Sequence, residues 1–142
     1  MRTILVALAI LASLGIASAL AADRARATVV CKPAPEKLAY DCILKLANAR
    51  TGAPLDQAAV TIGADMPSMP LAHNVRPITA TATGIPGEYR ARLTLEMHGD
   101  WAVRLKVAGP VNDQIVEVMN FTEASAGPPR RKSTPTRGDH KH

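Results

Sequence analysis

The sequence predicts an all-β fold, a seven-stranded antiparallel sandwich with an N-terminal signal segment and a disordered C-terminal tail. Two observations predict it. Past residue 22, apolar and polar side chains alternate with a period of two, which is the spacing of a half-buried strand and not of a helix. Turn-forming residues return about every ten positions, the rhythm of short strands folded back on one another. The 142 residues, once the leader is set aside, are enough for one domain with a modest core, although only 3% are aromatic.

Residues 1–22 are expected to be a signal peptide. Arg2 gives a short basic start, Ile4 to Ile16 is an apolar run, and Ala17-Ser18-Ala19-Leu20-Ala21 offers two A-x-A cleavage patterns. Export to the periplasm with cleavage near Ala21 follows. The alternative is an uncleaved anchor, because the apolar stretch approaches the roughly 20 residues that span a bilayer. Membrane contact is expected only in that case. Thr28-Val29-Val30-Cys31 is not a lipidation sequence, so a lipoprotein is disfavoured.

Ala27 to Lys32 and Leu38 to Asn48 read as a hairpin around Pro33-Ala34-Pro35-Glu36-Lys37. A symmetric register sets Cys31 opposite Cys42, the only two cysteines. An exported chain with an even count tends to pair them, so a disulfide is the leading reading, contributing about 2–3 kcal/mol for so short a loop. A thiolate metal pair is the competing reading, but the spacing matches no zinc pattern. Asn48 to Gly52 breaks the second strand, and Ala58, Val60, Ile62 and Ala64 mark one face of the third.

Pro77 to Thr83 is a weak strand whose proline suits an edge, followed by a turn over Thr83-Gly84-Ile85-Pro86-Gly87. Tyr89, Ala91, Leu93, Leu95 and Met97 then alternate with Arg90, Arg92, Thr94, Glu96 and His98, which predicts a strand burying the first set. Gly99 turns the chain. Trp101, Val103, Leu105 and Val107 form the partner strand, Gly109-Pro110 ends it, and Gln114 to Thr122 is the last. The domain is thus 23–123. Residues 124–142 hold prolines, glycines and cations with almost nothing to bury, so a disordered basic tail is expected.

Charge is distributed unevenly. The net +5 comes from Arg2 and from the tail, where Arg130, Arg131, Lys132, Arg137 and Lys141 face only Asp139. Residues 23–123 carry 11 basic and 11 acidic side chains. A neutral domain with few aromatics offers no nucleic-acid face. The tail has two weak options, divalent metal at His140 and His142 or contact with anionic lipid.

Chemistry concentrates in Asp65-Met66-Pro67-Ser68-Met69-Pro70-Leu71-Ala72-His73-Asn74. Thioether sulfur and imidazole nitrogen are soft-to-borderline donors that suit Cu(I), whereas magnesium or calcium would want oxygen ligands. Pro67 and Pro70 push both methionines toward extended backbone. In a polyproline helix Met66 and Met69 would share a face about 9 Å apart. His73 joins them only if the chain turns back near Leu71 and Ala72. The alternative is that both methionines fill gaps in an apolar core while His73 is solvated.

Met97 and His98 are second-tier ligands, available if their strand end lies at the same pole of the sandwich as this loop. Trp101 shares a face with three aliphatics, which favours the core over a place beside copper. No nucleophile elbow, phosphate-cradling glycine loop or H-E-x-x-H is present in the sequence, so an enzyme is not expected.

At Ala64-Asp65-Met66-Pro67-Ser68-Met69-Pro70 through Arg76-Pro77, and again at Gly87-Glu88-Tyr89 and Glu96-Met97-His98-Gly99-Asp100-Trp101, the chain resembles the FixH and YtkA-like families of exported bacterial proteins. The resemblance spans roughly residues 38 to 122. It implies a small immunoglobulin-like sandwich associated with copper handling, heavy-metal efflux or oxidase assembly. It also carries the Met-Pro-x-Met-Pro-x-x-His pattern onto Met66, Met69 and His73 as metal ligands. The resulting expectation is a periplasmic Cu(I) chaperone or metal-resistance accessory that passes copper to an efflux or oxidase-assembly protein. The alternative is a metal-free interaction module that presents an edge strand or the proline-rich loop to such a partner.

Overall fold

The alternation that begins at Ala25 closes into a hairpin. β1 (Ala25–Pro33) pairs antiparallel with β2 (Ala39–Asn48), and the register sets Cys31 against Cys42. The two are joined in a disulfide that closes a separation of 11 residues. The structure, a computed structural model, describes residues 22–129. The expected signal segment, and the tail from residue 130 with His140 and His142, lie outside the described residues.

The strands that follow are β3 (Ala59–Asp65), β4 (Asn74–Thr79), β5 (Thr81–Ala82), β6 (Glu88–Thr94), β7 (Gly99–Ala108), β8 (Asp113–Phe121) and β9 (Ala126–Gly127). They make two antiparallel sheets, one ordered β1-β2-β6-β5 and the other β4-β3-β7-β8-β9. With β1 and β2 beside β6, and β3 beside β7 and β8, the connectivity is that of an immunoglobulin-like sandwich. The described residues are all-β, as expected, but hold nine strands where seven were expected.

The two extra strands have physical causes. The segment expected as one strand over Pro77–Thr83 changes sheets: β4 pairs with β3, the chain crosses at Ala80, and β5 pairs with β6. Pro77 sits at a β-bulge in β4, where Arg76 and Pro77 stand against Gly63. Such a bulge suits a residue with no N–H to give the ladder. β9 lies within the segment expected to be disordered. It is two residues long, pairing Asn120 with Gly127 and Phe121 with Ala126, too short to show a period.

The core lies between the sheets. Leu44, Ile62, Leu93, Trp101, Val103 and Phe121 are fully buried. Each large apolar side chain so placed contributes about 1.5–3 kcal/mol of burial. The few aromatics are central and their polar atoms are satisfied. Tyr40 meets Phe121 edge to face with centroids 4.8 Å apart. Tyr40 Oη donates to the Thr122 carbonyl at 2.8 Å, and Tyr89 Oη donates to the Leu55 carbonyl at 2.7 Å while accepting from the Ala58 N–H.

Candidate metal centre

Strand direction decides which loops meet. β3 ends at Asp65, β6 at Thr94 and β8 at Phe121, while β7 begins at Gly99, and the ladders bring all four positions to one end of the sandwich. The loop over residues 66–73 and the bend over residues 95–98 are therefore neighbours. This fixes what the sequence leaves open, because Met97 and His98 share a pole with Met66 and Met69.

The loop turns back on itself instead of running as polyproline. The Met69 N–H donates to the Met66 carbonyl at 3.0 Å, and the Ala72 N–H donates to the Met69 carbonyl at 3.2 Å. Two successive tight turns reverse the chain, helped by Leu71 at φ 69°. The Met66 N–H closes the loop onto the His73 carbonyl at 3.2 Å. Prolines restrict the residues before them but fit tight turns equally well, so the even spacing along an extended face is not realised.

The two methionines separate in environment. Met66 continues the inward face of β3 and is 4% exposed, within the core cluster. A methyl group at Gly99 would come within 3.4 Å of its Cε. Met69 is 37% exposed at the loop surface. Met97 is 36% exposed, not inward as expected, because β6 ends at Thr94 and the chain leaves the strand geometry that would have buried it.

Met66, Met69, Met97 and His98 together line one open cleft of about 500 Å³. Gly99, Asp100 and Val118 complete its wall on the β7–β8 side, with Pro67 and Ser68 on the loop side. Trp101, fully buried, anchors the bend from beneath: its Nε1–H donates to the Met97 carbonyl at 3.1 Å. The expected core placement of Trp101 is what the structure shows.

His73 does not line this cleft. Its Nδ1 is hydrogen-bonded to the Glu96 carboxylate, and the side chain is partly covered. Beside the loop, Asp65 accepts from Arg104 Nε. That hydrogen bond and the carboxylate charge raise the guanidinium above its ordinary value, so the pair adds no uncompensated charge next to the thioethers.

The donor set in the cleft is three thioethers and one imidazole, with a single carboxylate at its edge. That chemistry fits Cu(I) and fits calcium or magnesium poorly. Among the described residues no three His, Cys, Asp or Glu side chains are grouped to hold a metal, so any site here depends on methionine sulfur. The sequence reading missed Asp100 and Val118 as wall residues and Glu96 as the partner of His73. The spacing His98-Gly99-Asp100 was the available signal for the first of these.

Comparison with known proteins yields no match among curated proteins and none among solved structures. The YtkA-like family profile matches residues 20–106, which is more than half of the chain. The Met loop, β6 and the start of β7 all fall inside that span, and with them every thioether and imidazole of the cleft. The chain therefore belongs to the YtkA-like family.

Proposed function

We propose that the protein is an exported, periplasmic Cu(I)-binding protein, a chaperone or metal-resistance accessory rather than an enzyme. One observation carries the reading: Met69, Met97 and His98 open onto the same cleft, with Met66 beneath them. Two flexible thioethers and an imidazole at the surface of a rigid sandwich can take a soft ion and release it, since exposed donors are reached by a partner without unfolding. Met66, expected from the sequence as a ligand, serves here chiefly to pack the loop against Gly99. His73 is held by Glu96 and lies outside the cleft lining. The partner is a periplasmic efflux or oxidase-assembly protein, and nucleic acid is not among its ligands.

The test is an anaerobic Cu(I) titration of the purified chain against a competing chelator, repeated with Met69→Leu and Met97→Leu combined. The expected outcome is a loss of affinity of at least about tenfold. Equal, weak retention of Cu(I) by both proteins sinks the proposal.

A second reading has its own support. Val116 and Val118 are exposed on the outer face of β8, next to the cleft, together with Met69 and Met97. In a metal-free interaction module that apolar strip would be the contact surface and the methionines part of it. Leucine in place of methionine would then preserve partner binding, whereas copper transfer would not survive it.

A further inference from the structure

Ladder register sorts the side chains on the outer face of the five-stranded sheet into rows. In one row Val116 of β8 stands beside Arg104 of β7 and then Gly63 of β3, with the bulge at Arg76 and Pro77 beyond. The adjacent row, nearer the Arg24 end, runs Gln114, Lys106, Thr61 and Thr79. Direct partners lie about 5 Å apart, so the two rows form one patch about 15 Å across. Gly63 presents no side chain, which leaves a groove of about 340 Å³ between Arg76 and Pro77 on one wall and Arg104 and Lys106 on the other. Its lining holds three cations and no acidic side chain. Arg104 is neutralised by Asp65, which lies outside the lining. Arg76 and Lys106 have no ion-pair partner among the described residues.

Two unpaired cations over one groove make a local positive field that attracts carboxylates. Apolar surface continues from there: Val116 and Val118 are 48% and 43% exposed on β8, and Val118 also lines the thioether cleft. From Lys106 to Asp100 along β7 this face runs about 20 Å, which suits a protein surface and exceeds the reach of one small anion. A bilayer is a poorer match, because residues 23–123 balance 11 basic against 11 acidic side chains and offer no broad basic surface. We propose that the groove docks a partner protein through an acidic segment, with its carboxylates at Arg76 and Lys106 and its apolar side chains against Val116 and Val118. The assignment stands whether or not the cleft holds copper.

The probe is a capped octapeptide alternating glutamate and valine, titrated into the isotopically labelled chain without metal and followed by NMR amide shifts. Shifts are expected at Thr61, Gly63, Arg104 and Gln114, and they should fade as ionic strength is raised to about 1 M. Arg76→Glu with Lys106→Glu changes two exposed side chains and is expected to weaken binding at those amides at least about tenfold. Arg26→Glu with Lys32→Glu makes the same charge change at exposed positions of β1 and is expected to leave binding there unchanged. Val116→Thr with Val118→Thr keeps the side-chain shape and is expected to weaken binding about threefold. Equal effects of the two charge-reversed pairs, or shifts confined to residues 130–142, would overturn the assignment. So would anionic lipid vesicles that shift the groove amides when the peptide does not, since the anion recognised would then belong to a bilayer.

Discussion

At the end of the sandwich where β2 passes into β3, the loops are pinned by buried contacts, whereas at the opposite end they stop short of covering their own side chains. Tyr89 ties the first end, bonding both Leu55 and Ala58 through one hydroxyl. Asn48 caps the turn after β2 by accepting from the Arg50 and Thr51 N–H groups. Gly87, at φ 73°, lets the β5–β6 turn press against β2, where a side-chain carbon would lie 2.6 Å from the Leu46 carbonyl oxygen. At the other end Trp101 and Tyr40 secure the base of the loops, yet Met69, Met97 and Leu71 remain exposed, Leu71 at 93%. One end spends its side chains on stability. The other keeps donors free on a fixed base.

If that contrast is right, substitutions at the two ends will separate stability from metal binding. The largest effect is expected from Gly87→Val, which combines a left-handed backbone with a clash against backbone atoms. It should lower stability by more than about 3 kcal/mol, measured by chemical denaturation. Opening the disulfide with Cys31→Ser and Cys42→Ser should cost about 2–3 kcal/mol, and a much smaller loss would mean that the hairpin is held by its ladder alone. Tyr89→Phe leaves the Ala58 N–H and the Leu55 carbonyl without their side-chain partner and should cost about 1–2 kcal/mol, with Cu(I) affinity unchanged. Met69→Leu with Met97→Leu should move stability by less than about 0.5 kcal/mol while lowering Cu(I) affinity at least about tenfold. A large stability loss in that pair would erase the contrast.

The smallest effect concerns β8. Glu117 is exposed but lies on the same side of the strand as Ile115 and Met119, and partial desolvation beside them pushes its carboxyl above the usual value. Its folded form therefore binds a proton more readily than the unfolded chain does. Ionisation weakens the fold as pH rises through that raised value, and the penalty is absent below the unfolded carboxylate range. Glu117→Gln should accordingly raise Tm slightly at neutral pH and leave it unchanged near pH 3. Asp113 has the opposite sign. The Ala25 N–H and Arg24 hold its carboxyl below the usual range, so its contribution is present above about pH 4 and is lost as pH falls further.

Most of the fold was legible in the sequence because period-two burial is a local property. The β1–β2 register, and with it the Cys31–Cys42 bond, follows from a symmetric hairpin. What escaped was non-local or too brief. The crossing at Ala80 depends on which sheet has room, and β9 depends on an edge of β8 built elsewhere. The donor types of the proposed site could be read from the sequence, but their arrangement could not. Donor types at residues 66–73 suit copper, yet Met66 continues the inward face of β3, and two turns in place of an extended run carry His73 to Glu96. Met97 and His98 entered because two sheets bring their bend beside the loop, a relation that no spacing along the chain contains.

The direction of β1 also sets a reach. The described chain enters at the end where Arg24 bonds Asp113, and β1 then runs its nine residues toward the opposite end, where the thioethers lie. At about 3.3 Å per strand residue, that is a span of about 30 Å. Arg24 and the thioether cleft therefore lie at opposite ends of the sandwich, about one strand length apart. Under the proposed Cu(I) reading, a receiver that meets the cleft would meet the end of the sandwich opposite to the one where Arg24 enters.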